Sequence, residues 1–492
     1  MTAGEALMTN WHHKPASHLL DAMASKEVSS AELTQHFQDR VESKNADINA
    51  VIATNFEGAH ARAREADEAR ARGESWGPLH GLPMTIKDAL EVAGMPAVGG
   101  APIWKDHRPT QHADAVQRIV DAGAVIFGKT NVPFMSGDLQ TYNDVYGTTN
   151  NPWDASCGPG GSSGGAAAAL AAGLTPLELG SDIGGSIRTP AHLCGVFGHK
   201  PTYGIVSKRG HLPGPPGSLS ESDLTVVGPL GLSAKDLSLL LGVVAGPNPA
   251  KATGWQLALP KPRATSPKDL RVAVWLDDPY CDIDTQSAAL ITNAANALSD
   301  AGANVDFAAR PDFTLAEITE AYLILLHSVV TTGMPEKVRE KWRTQLAQAA
   351  PTDKSHEILQ ARGGLLTHAD WLTWHEVREQ INAKWASFFQ SYDVVLAPTL
   401  MRPAFPHDQT PNWSKRELTV NDKQRHYMDV LIWAGPAVLS SLPASVAPVG
   451  LTQEGLPVGV QIIAPYLEDY TSIAVAGMIE DLVGGFRSPP GF

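Results

Sequence analysis

The residues best suited to chemistry lie in one glycine-rich stretch, residues 158–190, which reads GPGGSSGGAAAALAAGLTPLELGSDIGGSIRTP. This stretch contains nine of the 44 glycines in the 492-residue chain. Glycines at such density allow backbone amides to approach a ligand without side chains in the way. The serines among them include Ser162 and Ser186. Hydroxyls and N–H groups that converge on one place can serve a serine nucleophile or bind an anion.

Three interpretations fit parts of this stretch. A flexible Gly/Ser linker fits poorly, because helix-forming residues 166–172 and the apolar run 177–179 follow at once. A phosphate-binding loop needs Gly-Lys-Ser/Thr where residues 164–166 read GGA, although a nest for another anion stays open. Residues 160–164 match the G-x-S-x-G pattern of a nucleophile elbow centred on Ser162. That elbow follows a strand, whereas residues 151–159 have the composition of a loop.

The same stretch resembles the amidase signature family, through GSSGG at 161–165 and GSDIGGSIRTP at 180–190. Other motifs of that family recur in the same order: GLPMTIKD at 81–88, GKTN at 128–131, NPWD at 151–154, KPTYG at 200–204 and GLPVG at 455–459. The resemblance extends from about residue 20 to about residue 480. It implies an α/β fold of the amidase signature type, in which helices cover both faces of a large mixed β-sheet and a helical insertion is added.

The resemblance also implies a Ser–cis-Ser–Lys triad. Lys87 is then the base, Ser162 the proton-relaying serine that follows a cis peptide bond, and Ser186 the nucleophile. Negative charge that develops on the substrate is expected to meet an oxyanion hole of four backbone amides, those of Ile183, Gly184, Gly185 and Ser186.

A lysine base is chemically reasonable here. A serine hydroxyl is a weak nucleophile until a base takes its proton, and a lysine can act as that base only when it is neutral. Neutrality requires burial or a nearby positive potential, which lowers the lysine pKa from about 10.4. Lys87 follows the run Met84-Thr85-Ile86, which favours an apolar setting. The histidines that flank the motifs, His80, His192 and His199, are expected to have structural roles.

The resemblance implies a hydrolase that cleaves a carbon–nitrogen amide bond in a carboxylic amide or an anilide. An ester or a carbamate (urethane) presents a suitable carbonyl as well. Met135, Tyr142 and Trp433 are predicted to line a hydrophobic substrate pocket. One alternative is the glutaminase subunit of a tRNA-dependent amidotransferase. Such subunits carry Ser-Leu-Asp-Gln before Gly-Pro, whereas residues 219–229 read LSESDLTVVGP, as in stand-alone amidases. The alternative outside enzymes is a protein that binds an anion in the glycine loop.

Strands and helices that alternate along most of the chain must position these residues. Ser29 and Glu32 form the two ends of a predicted capping box, which begins a helix. Residues 114–127 and 286–307 each read as a helix, a glycine and a strand, as in the second half of a βαβ unit. We expect one domain over 1–492, with an N-terminal helical region at 20–75, a catalytic core at 80–310, a cap-like helical insertion at 311–391 and a return to the core sheet at 392–485.

Composition excludes several classes of protein. The chain has 38 Lys+Arg against 52 Asp+Glu, and a net charge of −14 without a basic run argues against nucleic-acid binding. Three distant cysteines do not make a disulfide framework, and residues 375–379, HEVRE, lack the second histidine of a zinc motif, so we expect no metal or other cofactor. Residues 1–15 lack the features of a secretory signal, and no apolar run is long enough to span a membrane. The predicted protein is cytoplasmic, acts on a small molecule and is compatible with a homodimer.

Overall fold

The computed structural model describes residues 10–212 and 214–492, so most of the segment inspected for a secretory signal lies outside the described residues. The strands are β1 (Val51–Thr54), β2 (Pro83–Lys87), β3 (Val125–Thr130), β4 (Tyr142–Asn143), β5 (Gly147–Thr148), β6 (Leu177–Asp182), β7 (Phe197–Lys200), β8 (Val226–Gly231), β9 (Arg271–Val274), β10 (Asn304–Asp306), β11 (Val394–Pro398), β12 (Glu417–Val420), β13 (Lys423–His426), β14 (Ala444–Leu451) and β15 (Pro457–Ile463). The helices are α1 (Ala16–Ala24), α2 (Ser30–Ile48), α3 (Phe56–Ala71), α4 (Asp114–Asp121), α5 (Gly164–Ala171), α6 (Arg188–Cys194), α7 (Ala234–Val244), α8 (Thr285–Asp300), α9 (Leu315–Val330), α10 (Glu336–Gln348), α11 (His356–Gly364), α12 (His368–Phe388), α13 (Gly435–Leu439) and α14 (Asp469–Val483).

Eleven of these strands form one sheet, in the order β1-β3-β2-β6-β8-β7-β14-β15-β11-β9-β10. The neighbours β3, β2 and β6 are parallel, as are β11, β9 and β10, and the other pairs are antiparallel. The predicted α/β fold with a large mixed sheet is therefore confirmed. The four remaining strands form two small hairpins, β4–β5 and β12–β13.

Both faces of the sheet are buried. Successive side chains of a strand point to opposite faces, and those of β11 enter two different hydrophobic clusters. Val394 and Leu396 belong to the cluster that also contains the apolar sides of α1, α2, α5, α7 and α14. Val395 and Ala397 belong to the cluster that contains α9 and α13. Helices therefore cover the sheet on both sides, as predicted.

The local patterns in the sequence are confirmed where they concern short-range contacts. The hydroxyl of Ser29 accepts from the amide of Glu32, whose carboxylate accepts from the Ser29 amide, and this capping box begins α2. Each predicted helix–glycine–strand unit is present: α4 leads through Gly123 to β3, and α8 leads through Gly302 to β10. Both glycines adopt positive φ angles, 95° and 105°.

Residues 311–391 contain four helices and no strand, as the sequence predicts. These helices differ in burial. In α9 the side chains Tyr322, Leu323 and Ile324 are completely buried in the second cluster, whereas Trp342 is the single buried residue of α10. The α9 helix is thus part of the packed body, and α10 lies at the surface. Within the described residues, no helix is both long and apolar enough to cross a membrane, and the three cysteines are free.

The start of α5 approaches the end of β3 so closely that a side chain does not fit between them. The Gly165 amide donates to the Asn131 carbonyl at 3.2 Å. A Cβ on Gly165 would lie 2.9 Å from the Asn131 Cα, and closer still to the amide nitrogen and carbonyl oxygen of that residue. This close approach sets the position of residues 162 and 163, which directly precede α5.

We expect Gly165→Ala to lower the free energy of unfolding by about 1–3 kcal/mol, because the added methyl group meets backbone that has no room to relax. Gly254→Ala is the matched control, since a Cβ there has no atom within 4 Å and the glycine has no positive φ. Denaturant titration of both variants measures the difference. Equal unfolding midpoints would contradict the close approach described here.

Candidate active site

Two neighbouring parallel strands bring the predicted site residues to one edge of the sheet. β2 ends at Lys87, and its partner β6 ends at Asp182. Parallel strands present their carboxyl ends at the same edge, so the turn at residues 183–187, which leads into α6, lies beside Lys87. Residues 162 and 163 reach the same place from the start of α5. The fold therefore brings together all three parts of the chain that carry the predicted triad.

The amine of Lys87 is completely buried and is surrounded by hydroxyl groups. Its Nζ lies 2.7 Å from Ser162 Oγ, 2.9 Å from Ser163 Oγ and 2.9 Å from Ser181 Oγ. Burial lowers the pKa of Lys87 to about 7, although the carboxylates of Asp182 and Glu178 oppose this effect. A lysine with this pKa is partly neutral near pH 7, and its lone pair can accept a proton.

The loop before α5 places the Ser162 hydroxyl against this amine. The peptide bond between Gly161 and Ser162 is cis, which agrees with the expectation from the sequence. Thr141 Oγ1 donates to the Gly160 carbonyl at 2.8 Å and anchors the loop. No strand leads directly into Ser162, so the strand–turn–helix context of a nucleophile elbow is missing at this serine.

Ser186 lies in the turn between β6 and α6 and is 5% exposed. Its carbonyl accepts a hydrogen bond from the Ser163 amide at 3.1 Å, so the two predicted catalytic loops are joined by backbone. Among the described residues, the hydroxyls of Ser162 and Ser186 do not form a hydrogen bond with each other. The structure thus brings the lysine and the first serine into contact and places the second serine in the adjoining turn.

A buried ion pair holds this turn. The Asp182 carboxylate accepts from the Gly185 amide at 2.9 Å and from the Ile187 amide at 3.1 Å. Arg188 contacts the same carboxylate through Nε at 3.0 Å and Nη2 at 2.9 Å, and neither side chain is appreciably exposed. Burial alone would raise the pKa of Asp182, but the Arg188 guanidinium and the hydrogen bonds lower it to about 2. The carboxylate is therefore ionised at any working pH.

The four amides expected to form the oxyanion hole are not equivalent. The Gly185 N–H is already bonded to Asp182, whereas those of Ile183, Gly184 and Ser186 have no acceptor within the described part of the chain. Tyr322 of α9 adds a contact that the sequence did not suggest: its hydroxyl donates to the Ile183 carbonyl at 2.9 Å. In a trans peptide the N–H points away from the C=O, so this bond directs the Gly184 N–H away from α9.

The three residues predicted to line the substrate pocket have different environments. Trp433 is 1% exposed and packs edge-on against Trp275, with ring centroids 5.8 Å apart, so the structure places it in the core. The Tyr142 hydroxyl lies 3.2 Å from Asp138 Oδ2 and accepts from Arg416 at 2.6 Å. Met135 is partly exposed and has a φ of 50°. A Cβ on Gly161 would lie 2.6 Å from the Asp138 carbonyl, so the 135–142 segment borders the loop that carries Ser162.

Several polar neighbours of Lys87 were missed by sequence analysis. Ser163 and Ser181 lie inside the recognised motifs, and their presence in the glycine stretch was the available signal. The fully buried Glu178 lies on β6, and its Oε1 accepts from the hydroxyls of Thr85 and Thr130. His211, which contacts Ser181, has no local sequence signal at all. In the described ranges, no group of three His, Cys, Asp or Glu side chains is arranged to hold a metal ion.

Comparison with known proteins identifies the family of this chain. The sequence profile of the family described as Amidase matches residues 32–473. The chain belongs to the amidase signature family. A glutamyl-tRNA(Gln) amidotransferase subunit of Chloroflexus aurantiacus is 33% identical to this amidase signature chain, over 96% of its length and 98% of the relative.

Two solved structures are similar in fold to this chain. The structure of 6-aminohexanoate cyclic dimer hydrolase is similar with a TM-score of 0.78 and 28% identity, covering 98% of this chain and 99% of the other. A bacterial aryl acylamidase of the amidase signature family shares the fold with a TM-score of 0.79, at 22% identity, covering 96% of this chain and 97% of the other. The match thus extends along nearly the whole of this amidase signature chain.

The buried pair of Asp182 and Arg188 predicts a large loss of stability when its charge is removed. We expect Asp182→Asn to lower the free energy of unfolding by about 3–5 kcal/mol, because the Arg188 charge stays buried without its partner. Asp300→Asn, at the exposed end of α8, is the control and should change stability by no more than about 0.5 kcal/mol. Denaturant unfolding of both variants tests this, and similar effects of the two substitutions would refute it.

Proposed function

We propose that the protein hydrolyses the carbon–nitrogen bond of a carboxylic amide or an anilide through a serine acyl-enzyme. An ester or a carbamate, including a urethane, offers a carbonyl that the same groups can attack. The observation that carries this proposal is the buried Lys87 amine 2.7 Å from the Ser162 hydroxyl, next to the turn that holds Ser186. Burial keeps this amine partly neutral near pH 7, and neutrality is what a lysine base requires.

The proposed cycle uses three side chains in sequence. Lys87 takes the proton of Ser162, Ser162 takes the proton of Ser186, and Ser186 Oγ attacks the substrate carbonyl carbon. The proton then returns through Ser162 to the leaving amine as the carbon–nitrogen bond breaks. Water enters, gives up a proton along the same route and releases the acid from Ser186. The two hydroxyls must approach each other when substrate binds, and such contacts commonly tighten only in the complex.

Negative charge on the attacked carbonyl would be stabilised by backbone amides of the 183–187 turn. Three of the four amides first considered, those of Ile183, Gly184 and Ser186, have no other acceptor among the described residues. We therefore assign the oxyanion hole to these three. The Gly185 amide keeps its bond to Asp182 and holds the turn in shape. Removing one donor from such a site typically costs a factor of about 10²–10³ in kcat.

The surroundings of the 135–142 segment favour a hydrophobic substrate. Phe134, beside Met135, is 54% exposed, and Ile103 is 79% exposed. The Met135 amide donates to the Gly99 carbonyl at 2.7 Å, which joins the two segments that carry these side chains. Exposed apolar side chains beside a catalytic loop are expected to bind an aryl or alkyl group of the substrate. Trp433 is not part of this proposal, because it packs in the core.

A glutaminase subunit of a tRNA-dependent amidotransferase is the second candidate. The 33% identity with the amidotransferase subunit of Chloroflexus aurantiacus over nearly the whole chain favours it. Residues 219–229, which differ from the Ser-Leu-Asp-Gln pattern of such subunits, favour a stand-alone enzyme. The isolated chain separates the two candidates: a stand-alone amidase turns over anilides, aliphatic amides, esters or carbamates by itself, whereas a glutaminase subunit hydrolyses glutamine and depends on its partner subunits.

A fluorophosphonate probe should label Ser186, because that serine is the proposed nucleophile. Mass spectrometry of the digested protein locates the adduct, and Ser186→Ala should abolish both labelling and turnover. Lys87→Ala should lower labelling by at least about 10²-fold, since it removes the base. An adduct on Ser162 would instead identify Ser162 as the nucleophile and contradict the proposed roles. A chain that is not labelled at all, and does not hydrolyse any anilide, aliphatic amide, ester or carbamate tested, would support the anion-binding alternative.

The pKa of Lys87, which burial lowers to about 7, predicts the pH dependence of hydrolysis. The neutral amine is the active form, so kcat/KM should rise about tenfold per pH unit below pH 7 and level off above it. An uncharged substrate, measured from pH 5 to 9, avoids titration of the substrate itself. A kcat/KM that still rises tenfold per pH unit up to pH 9, as the ordinary lysine pKa of about 10.4 requires, would contradict this assignment.

A further inference from the structure

His211 extends the hydrogen-bonded group around Lys87 by one more residue. Its Nε2 lies 2.8 Å from Ser181 Oγ, and that hydroxyl lies 2.9 Å from Lys87 Nζ. The proposed cycle does not use His211, and no sequence motif pointed to it. His211 is therefore linked to Lys87 through the Ser181 hydroxyl that lies between them.

The position of His211 is set by backbone pairing next to the end of β2. The Glu91 amide donates to the Gly210 carbonyl at 2.9 Å, and the Leu212 amide donates to the Ala89 carbonyl at 2.8 Å. Gly210 has a φ of 82°, and a Cβ there would lie 2.6 Å from the Ala113 Cα, so this approach requires glycine. His211 is thus held beside residues 89–91, shortly after Lys87.

The hydrogens around Lys87 can be counted. A neutral amine has two N–H donors and one lone pair, and three hydroxyls surround it. Ser163 directs its own proton to the Ser181 carbonyl at 3.3 Å, which leaves its oxygen free to accept from Lys87. If the Ser181 proton goes to His211, the Ser181 oxygen also accepts from Lys87. Both N–H groups are then used, and the lone pair can only face Ser162.

Burial and two nearby lysines keep the imidazole ring of His211 neutral. Burial, together with the neighbouring Lys87 and Lys208, lowers the pKa of His211 to about 3. Glu178 and Asp182 are the carboxylates that act on Lys87 from β6. A neutral imidazole has one nitrogen with a proton and one without. Nε2 is an acceptor when the proton is on Nδ1.

We propose that His211 is a positioning residue, which accepts the hydroxyl proton of Ser181 and thereby directs the lone pair of Lys87 to Ser162. This inference rests on the proposed function, in which Lys87 is the base. In the protonated state, the three N–H groups of Lys87 donate to the same three hydroxyls. The arrangement therefore suits the lysine both before and after it takes a proton.

Two substitutions of similar length separate hydrogen bonding from packing. His211→Gln keeps an acceptor near the place of Nε2, whereas His211→Met fills the space without one. We expect kcat of the Gln variant to stay within about threefold of the parent and kcat of the Met variant to fall about tenfold, the loss of one hydrogen bond, with KM within twofold in both. Equal activity of the Met variant and the parent would overturn the proposal.

A double-mutant cycle tests whether His211 acts through Ser181. In a Ser181→Ala background, His211→Met should lower kcat by less than twofold further, because the hydroxyl that it orients is gone. A full tenfold further loss would show that His211 acts otherwise and would overturn the proposal. Thermal unfolding of each variant identifies losses that come from unfolding.

The tautomer of His211 can be measured without an activity assay. In protein labelled with ¹⁵N-histidine, the His211 signals are those lost in His211→Gln, and their shifts should show a protonated Nδ1 and an unprotonated Nε2. A protonated Nε2 would overturn the proposal. Lys87→Ala distinguishes the two levels of inference: full activity in that variant refutes the proposed function and with it the role of His211, whereas a loss there with an active His211→Met refutes only the latter.

Discussion

The burial of one amine at the end of β2 determines how the rest of this region is built. Lys87 is removed from water, and an amine without hydrogen-bond partners in such a place is costly. Three hydroxyls take the place of the water molecules that would surround an exposed amine. They come from residues 162–163 and from residue 181, and both parts of the chain are distant in sequence from Lys87. β6 must therefore lie beside β2, and α5 must begin close to both. The close contact between Gly165 and Asn131 is one consequence of this requirement.

The negative charge on Asp182 must be balanced because this carboxylate is also buried. Its carboxylate raises the pKa of Lys87, which works against a neutral amine. Arg188 and the backbone amides of the turn compensate this carboxylate and fix the shape of the turn at the same time. A pKa of about 7 for Lys87 is thus the outcome of two opposed effects, burial and the nearby carboxylates.

How much the sequence could predict depended on the range of the contacts. The capping box of Ser29 and the helix–glycine–strand units involve residues within a few positions, and they were correct. The mixed sheet and the candidate triad came from motifs along the chain, not from periodicity. His211 could not be found in this way, because only the pairing of residues 89–91 with 210–212 brings it to Ser181. The core position of Trp433 depends on its contact with Trp275, which is equally distant in sequence.

The helical region between β10 and β11 is more than a cover on the sheet. Tyr322 of α9, which belongs to this region, donates to the Ile183 carbonyl. A second contact comes from outside the region: Arg188 donates to the Ala434 carbonyl at 3.2 Å, directly before α13. The 183–187 turn is therefore held by the sheet, by α9 and by the residue before α13. Because that turn is fixed by buried contacts, the exposed and half-buried residues 134–137 can vary without disturbing it. A site built in this way can keep one bond-breaking chemistry while its substrate changes, which fits the different substrates in the names of the similar proteins.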